Sequence, residues 1–283
     1  MKRGILAIAI GAGVLLTGIG SQAPVAIAEE AIATRAPVAV TFIANEGFLL
    51  SDGKSKVMVD ALFADHDYYD VPSEEVLRRM MGAEPPFDDV DLVLATHHHA
   101  DHFDAATVAS FLAAHPETVF FSTPTAVAEI EKLGEPFVPI AERVRTIDLG
   151  YGEGAWVSIR GIRLHVFNSG HSGDLKEFRN YMYAFDVGGQ TVFHEGDSGD
   201  DPEIFLALGA AIDDVEIAFL HSWFLTGDRG LKIVEEQLEA ERAVLMHVPT
   251  RFHQETLERL ERIRARFPET TYFEASLDGR DFE

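Results

Sequence analysis

The chain has no cysteine among its 283 residues. Disulfides are therefore excluded, as is lipid attachment through an N-terminal cysteine, and no thiolate is there to bind a metal. Histidine, aspartate and glutamate are left as the strong side-chain ligands. Positive charge is also scarce, with 23 Lys and Arg against 47 Asp and Glu and a formal net charge of −24. A protein that tracks a nucleic-acid backbone needs a basic stripe to neutralise phosphates, so nucleic acid is excluded as a partner. Acidity of this kind mainly keeps a protein soluble. Internal repeats are absent too, and no Pro- or Gly-rich linker splits the chain.

A long small-residue apolar run is confined to the N-terminus. Met1-Lys2-Arg3 is a basic start, residues 4–20 are small and apolar, and Ala26-Ile27-Ala28 offers an Ala-x-Ala cleavage site before Glu29-Glu30. This layout predicts a signal peptide over residues 1–28, a mature chain from Glu29, and a periplasmic or secreted protein. The alternative is an uncleaved membrane anchor. A span needs about 20 apolar residues, whereas this run is rich in glycine and is followed by Ser21, Gln22 and Pro24. No stable membrane association is expected after cleavage.

The chemistry concentrates at His97-His98-His99-Ala100-Asp101-His102, which follows the apolar run Val90-Asp91-Leu92-Val93-Leu94-Ala95. A buried strand running out into a loop would carry these side chains at its end. His97, His99 and Asp101 alternate, so an extended segment points them to one side, and a turn brings His102 round. Imidazole nitrogen and carboxylate oxygen suit zinc and similar transition metals. Four ligands in one loop are too many for a single catalytic ion that keeps a position open for water and substrate. Two neighbouring ions, each taking part of the loop, are the expected arrangement.

The segment resembles the His-x-His-x-Asp-His signature of metallo-β-lactamase-fold hydrolases, matched by His97, His99, Asp101 and His102. The resemblance continues in order along the chain. A strand ends in an acid at Val57-Met58-Val59-Asp60, and a lone histidine follows at His171 within Asn168-Ser169-Gly170-His171-Ser172-Gly173. Next come Val192-Phe193-His194-Glu195-Gly196-Asp197-Ser198-Gly199 and the closing Val244-Leu245-Met246-His247. The placing of His194 two residues before Gly196-Asp197 is similar to the branch containing ascorbate-6-phosphate lactonase-like enzymes. The resemblance implies an α/β fold, a four-layer αββα sandwich of two mixed β-sheets with helices outside. Residues 29–283 would form one catalytic domain, for which the chain is long enough.

The resemblance also implies the ligand sets. His97, His99 and His171 would hold the first ion, Asp101, His102 and His247 the second, and Asp197 would bridge them. Zinc is the favoured metal, with manganese or iron as alternatives. Asp101 and Asp197 carry catalytic roles as well, Asp101 by orienting a hydroxide held at the metals. Asp60 is expected to orient a ligand histidine through its other ring nitrogen. His194 and His221, each at the end of an apolar strand, are candidates for the pocket wall, and equally for structural histidines. His98 occupies the variable position and is expected to point away from the metals. Lys176, Arg179 and Arg251 lie near motif elements and are candidates for binding an anionic group, with solvated surface charge as the alternative.

Local patterning agrees with alternating elements. Val38–Leu50 and Val57–Asp60 read as strands joined by a turn at Asp52-Gly53. Helices are predicted over Ser73–Met81, Asp104–Ala114, Thr125–Leu133, Asp201–Leu208, Leu231–Ala240 and Glu255–Phe267, several opened by Ser or Asp or by an early proline. Strands are predicted at Val119–Phe121, Val144–Ile147, Ala155–Ile159, Ile162–Phe167, Tyr181–Val187, Thr191–Phe193, Glu216–Leu220 and Ala243–Met246. The expected activity is hydrolysis of a lactone, ester or amide carbonyl in a small-molecule substrate, with a phosphodiester as second choice. A mononuclear iron sulfur dioxygenase and a non-catalytic metal-binding module are the competing readings. A structural site closes with four ligands, fewer than this chain offers.

Overall fold

The computed structural model describes residues 35–173, 176–212 and 214–283. The predicted signal peptide, its cleavage site and the start at Glu29 lie outside the described residues. Two seven-stranded sheets organise the fold. The first is built from β1 (Val38–Ala44), β2 (Gly47–Ser51), β3 (Lys56–Val59), β4 (Leu92–Leu94), β5 (Val119–Ser122), β6 (Val144–Thr146) and β14 (Gly279–Phe282). Its order is β14-β1-β2-β3-β4-β5-β6, and β3 to β6 run parallel. The second contains β7 (Gly154–Ile159), β8 (Ile162–Asn168), β9 (Tyr181–Val187), β10 (Gln190–His194), β11 (Ile217–Leu220), β12 (Arg242–Leu245) and β13 (Thr270–Tyr272). Its order is β13-β12-β11-β10-β9-β8-β7, and β10 to β13 run parallel.

Side chains on a strand point alternately to its two faces, and that period sorts the core into three layers. Phe48, Leu50, Val57, Val59, Leu92 and Leu94 of the first sheet meet Leu164, Tyr183, Phe185, Val192, Ile217 and Phe219 of the second. The intervening Leu49, Met58 and Val93 turn outward onto α1 (Glu74–Met81), α2 (Ala105–Ala114) and α3 (Pro124–Glu131). Likewise Met182, Ala184, Phe193, Ala218 and Leu220 turn onto α4 (Pro202–Gly209), α5 (Ser222–Thr226), α6 (Asp228–Glu236) and α7 (His253–Arg266). The result is the expected αββα sandwich. Among the described residues, no helix is long and apolar enough to cross a membrane.

Local chemistry explains most boundaries. Ser73, Asp104, Thr123 and Asp201 each accept a backbone N–H at the start of a helix, and Pro124 and Pro202 open theirs. Asp52 Oδ1 accepts from the N–H groups of Lys54 and Ser55 at 2.9 and 2.7 Å, fixing the turn predicted there. The single strand expected over Val38–Leu50 is instead the hairpin β1–β2, reversed at Asn45-Glu46. Gly47 makes the reversal possible, since a Cβ there would meet Asp60 O at 2.8 Å and Ala44 O at 2.9 Å. Strands β13 and β14 and the short helix α5 were not expected from the sequence. All three are short, and β14 has only one buried residue of its four, so no hydrophobic period marks it.

The parallel strands set the location of the site. The C-terminal ends of β3 and β4 in one sheet, and of β10, β11 and β12 in the other, open onto one edge of the sandwich. Strand ends and loops at that edge carry the candidate residues, on a scaffold rigid enough to hold their geometry.

Candidate metal centre

The histidine-rich loop begins where β4 ends. Asp60, at the end of β3 with φ 44°, accepts from the N–H of Thr96 at 2.7 Å and from its hydroxyl at 2.6 Å. The Ala95 carbonyl accepts from the hydroxyls of Ser122 and Tyr183 at 2.7 and 2.8 Å, pinning the exit of the strand from both sheets. The chain then delivers His97 and His99 to one place, with His97 Nε2 2.9 Å from His99 Nδ1. His171, after β8, faces them, and its Nδ1 lies 3.1 Å from the Ser172 carbonyl, which leaves Nε2 free. That Nε2 is 3.0 Å from Asp197 Oδ2.

Asp197 reaches the site because Gly196 lets the chain turn sharply. Gly196 has φ +56°, and a Cβ on it would meet Asn180 Oδ1 at 2.5 Å and Thr96 Cβ at 2.7 Å. The N–H of Asp197 donates to the same Asn180 Oδ1 at 3.0 Å. While Asp197 Oδ2 faces His171 and His97, Oδ1 lies 3.5 Å from His102 Nε2 and 3.4 Å from His247 Nε2. Asp101 Oδ2 stands 3.5 Å from the same His102 nitrogen and 3.3 Å from the same His247 nitrogen. His247, after β12, is held in the left-handed region at φ 54°. That conformation is costly for a non-glycine residue and is concentrated at functional sites.

Two groups of ligand atoms therefore stand side by side. His97, His99, His171 and Asp197 offer atoms all within 4.8 Å of one another, and so do Asp101, His102 and His247. Two ligands ~2.1 Å from one ion at the tetrahedral angle stand about 3.4 Å apart, which is the spacing found around His102 and His247. His102 Nε2, His171 Nε2 and Asp197 Oδ1 are buried without a hydrogen-bond partner. Buried polar groups are nearly always paired, and a coordinated cation would satisfy all three. The donors thus fit a metal, and imidazole with carboxylate suits zinc, iron or manganese.

Electrostatics set His102 apart from His97, His99 and His247, all three of which burial holds below the ordinary histidine value. Burial, then neighbouring His102, holds His97 well below its ordinary value, and burial with His171 brings His99 down to about 4. These rings stay neutral and ready to coordinate. Burial opposes charge on His102, but Asp197, Glu46, Asp101 and Asp60 outweigh it and raise the ring well above its ordinary value. Burial alone would raise Asp197 and Asp101. The neighbouring histidines, His102 and His247 at both carboxyls and His171 and His221 at Asp197, outweigh it and bring both carboxyls down.

The other candidates sort clearly. Asp60 Oδ2 lies 2.9 Å from His102 Nδ1, so the expected orienting contact is present. His194 does not line a pocket: it is fully buried, its Nδ1 accepts from the Gly196 N–H and its Nε2 reaches the Glu46 carbonyl. It ties the Asp197 turn to the β1–β2 turn. His221 does lie at the centre, with Nε2 3.5 Å from Asp197 Oδ1 and Nδ1 3.0 Å from Glu195 Oε1. His98 stacks on Phe178 at 4.7 Å and joins neither group. Arg179 is paired with Asp148, and Arg251 lies over the Phe252 ring. Lys176 lies over the Tyr151 ring at 4.8 Å and lines a cavity of about 400 Å³ that His171, Ser172 and Arg229 share.

The sequence reading missed four residues of the site. Glu46 and Glu195 are fully buried beneath His221, and both carboxyls are pushed up by burial, partly offset by His221. Glu46 carried a signal, as a lone charge in an otherwise apolar stretch. Tyr69 covers His247 at 4.3 Å between ring centres, and Phe178 packs on His99 at 4.5 Å. Nothing in their local sequence separates them from ordinary aromatic residues.

An αββα sandwich carrying two adjoining histidine–carboxylate groups at one edge is a metal-binding fold of the β-lactamase superfamily. Residues 39–247 match the family model described as the beta-lactamase superfamily domain, and the chain belongs to that family. A curated relative named a UPF0173 metal-dependent hydrolase, from Pyrococcus furiosus, is 24% identical over 216 residues, covering 75% of this chain and 85% of its own length. Among solved structures, the metallo hydrolase Igni18 from Ignicoccus hospitalis superposes with a TM-score of 0.58 at 18% identity, over 87% of this chain and 99% of that one. The metallo-β-lactamase-fold protein YhfI from Bacillus subtilis gives 0.59 at 16%, over 88% and 100%.

Proposed function

We propose that the protein is an exported metal-dependent hydrolase with two divalent ions, zinc first among the candidates, acting on a lactone, ester or amide carbonyl of a small molecule. The observation that carries this reading is Asp197, whose two oxygens face two separate ligand groups. His97, His99 and His171 would hold one ion and Asp101, His102 and His247 the other, with Asp197 between. When bound, two such ions supply Lewis-acid polarisation and a hydroxide nucleophile near neutral pH. The chain's own groups do the positioning. Asp60 orients His102, the Ser172 carbonyl orients His171, and Asp101 can accept a hydrogen bond from an attacking water at the second group. The curated relatives named metal-dependent hydrolases support this class of activity.

A substrate would enter beside His171, where the cavity of about 400 Å³ is of small-molecule size. The likeness to the ascorbate-6-phosphate lactonase-like branch makes lactones the first compounds to test. A purified, zinc-loaded protein assayed against lactones, β-lactams, esters and phosphodiesters should turn over a carbonyl substrate without consuming oxygen. Turnover of phosphodiesters alone would move the substrate class, and turnover coupled to oxygen uptake would overturn the hydrolase reading.

A further inference from the structure

Beneath the two ligand groups lies a third set of donors with no place in the arrangement just described. Glu46 and His221 are 0% and 1% exposed, and neither oxygen of Glu46 nor Nε2 of His221 has a hydrogen-bond partner. Glu46 Oε1 stands 3.2 Å from that Nε2, yet the pair is misaligned and makes no hydrogen bond. Two buried polar atoms this close and both unsatisfied are costly, unless they face a common third atom. At ~2.1 Å from one ion they would subtend an angle of about 100°, within the range of zinc and similar metals. Asp197 Oδ1 and His247 Nε2 complete the set, and the four ligand atoms lie within 4.8 Å of one another.

The far side of His221 is built as a ligand histidine is built. Its Nδ1 lies 3.0 Å from Glu195 Oε1, and Glu195 is itself held by the Ser198 hydroxyl at 2.8 Å and by the His221 N–H. Asp60 treats His102 in the same way. An outer carboxylate of this kind fixes the tautomer and aims the other nitrogen at a metal. His194 is the contrast within the same site. Both its nitrogens find backbone partners and neither is free.

We propose that Glu46 and His221, with Asp197 and His247, form a further seat for a divalent ion beside the seat of Asp101 and His102. The proposal rests on the dinuclear reading and extends it. Nε2 of His247 has a single lone pair and serves one ion at a time, so the two seats are alternatives for the second ion. Loss of donors from one seat should therefore weaken that ion and not release it. Two imidazoles and two carboxylates suit zinc, iron or manganese.

The test is the zinc content of the purified full chain after dialysis against graded chelator, with the absorption spectrum of the cobalt-substituted protein as a second readout. Wild-type protein should hold two ions; fewer than two overturns the dinuclear reading itself, and that is known before any variant is made. His102→Ala should still hold two, with the second released at roughly tenfold or more lower chelator. Glu46→Gln and His221→Ala should weaken the same ion, and the cobalt spectrum of that ion should differ between His102→Ala and Glu46→Gln. The double variant His102→Ala/Glu46→Gln should hold one. His221→Ala leaves two buried carboxylates without their partner, so the isosteric Glu46→Gln carries the test where that variant does not fold. His102→Ala falling to one ion by itself, or Glu46→Gln releasing the second ion at the wild-type chelator concentration, would overturn the proposal.

Discussion

His102 Nδ1 lies 2.9 Å from Asp60 Oδ2, and this one contact decides which nitrogen of His102 faces Asp101 and Asp197. Asp60 can hold the ring only because Thr96 holds Asp60, through both its N–H and its hydroxyl. The acid at the end of one strand therefore sets the tautomer of a residue in the next loop.

Removing that contact should act on the metal before it acts on the fold. Asp60→Asn keeps the shape but presents an amide that can donate to Nδ1, which favours the wrong tautomer. We expect the second ion to bind about 10- to 100-fold more weakly in this variant, with the first little changed. Chelator competition reads both affinities, and an unchanged second affinity would remove Asp60 from the orienting role.

Asp197→Ala should be more severe. It takes a carboxylate oxygen from each ligand group at once and leaves the two cations to repel without a bridge. Metal content and hydrolysis should fall together. Metal analysis showing the wild-type stoichiometry in this variant would rule out the bridging role.

The loop from His97 to His102 could be read from the chain because metal chemistry demands particular residue types at close spacing, whereas His171, Asp197 and His247 were legible only through the resemblance to metallo-β-lactamase-fold hydrolases. His97, His99, Asp101, His102, His171, Asp197 and His247 are brought to one edge of the sandwich, from four separate stretches of sequence. Strands β3, β4 and β11 were legible for a different reason: each is a short, continuous apolar run buried on both faces, as a strand between two layers must be. What escaped carried little local pattern beyond the lone charge of Glu46. Glu46 sits in a tight turn inside an apolar run, and only the tertiary fold brings it under His221, 3.2 Å away. Strand β14 pairs with β1 from the far end of the chain, so its existence depends on a partner and not on its own hydrophobicity.

Export is a separate expectation, resting on Ala26-Ile27-Ala28 and the basic, then apolar, segment before it. Protein recovered from the native host should begin at Glu29. Edman or mass-spectrometric sequencing checks this, and an intact Met1 in a membrane fraction would favour the anchor.

The last expectation concerns protein stripped of metal. Burial opposes charge on His221, yet Glu46 and Glu195 outweigh it and push the ring up to about 10. His102 is raised in the same direction by Asp197 and Glu46, against burial. Groups whose folded-state values are raised bind their protons more tightly when folded. Their stabilising contribution is fully present below the unfolded histidine value of about 6.5 and is lost as pH rises through the folded value. The melting temperature of metal-free protein should therefore fall as pH rises from about 7 to 9. Zinc-loaded protein should show a smaller fall, because coordination replaces those protons with a cation. His221→Gln should flatten the metal-free curve and so separate this cluster from general repulsion in an acidic chain. A metal-free melting temperature that holds steady or climbs over that window would show that the buried imidazoles are not charged.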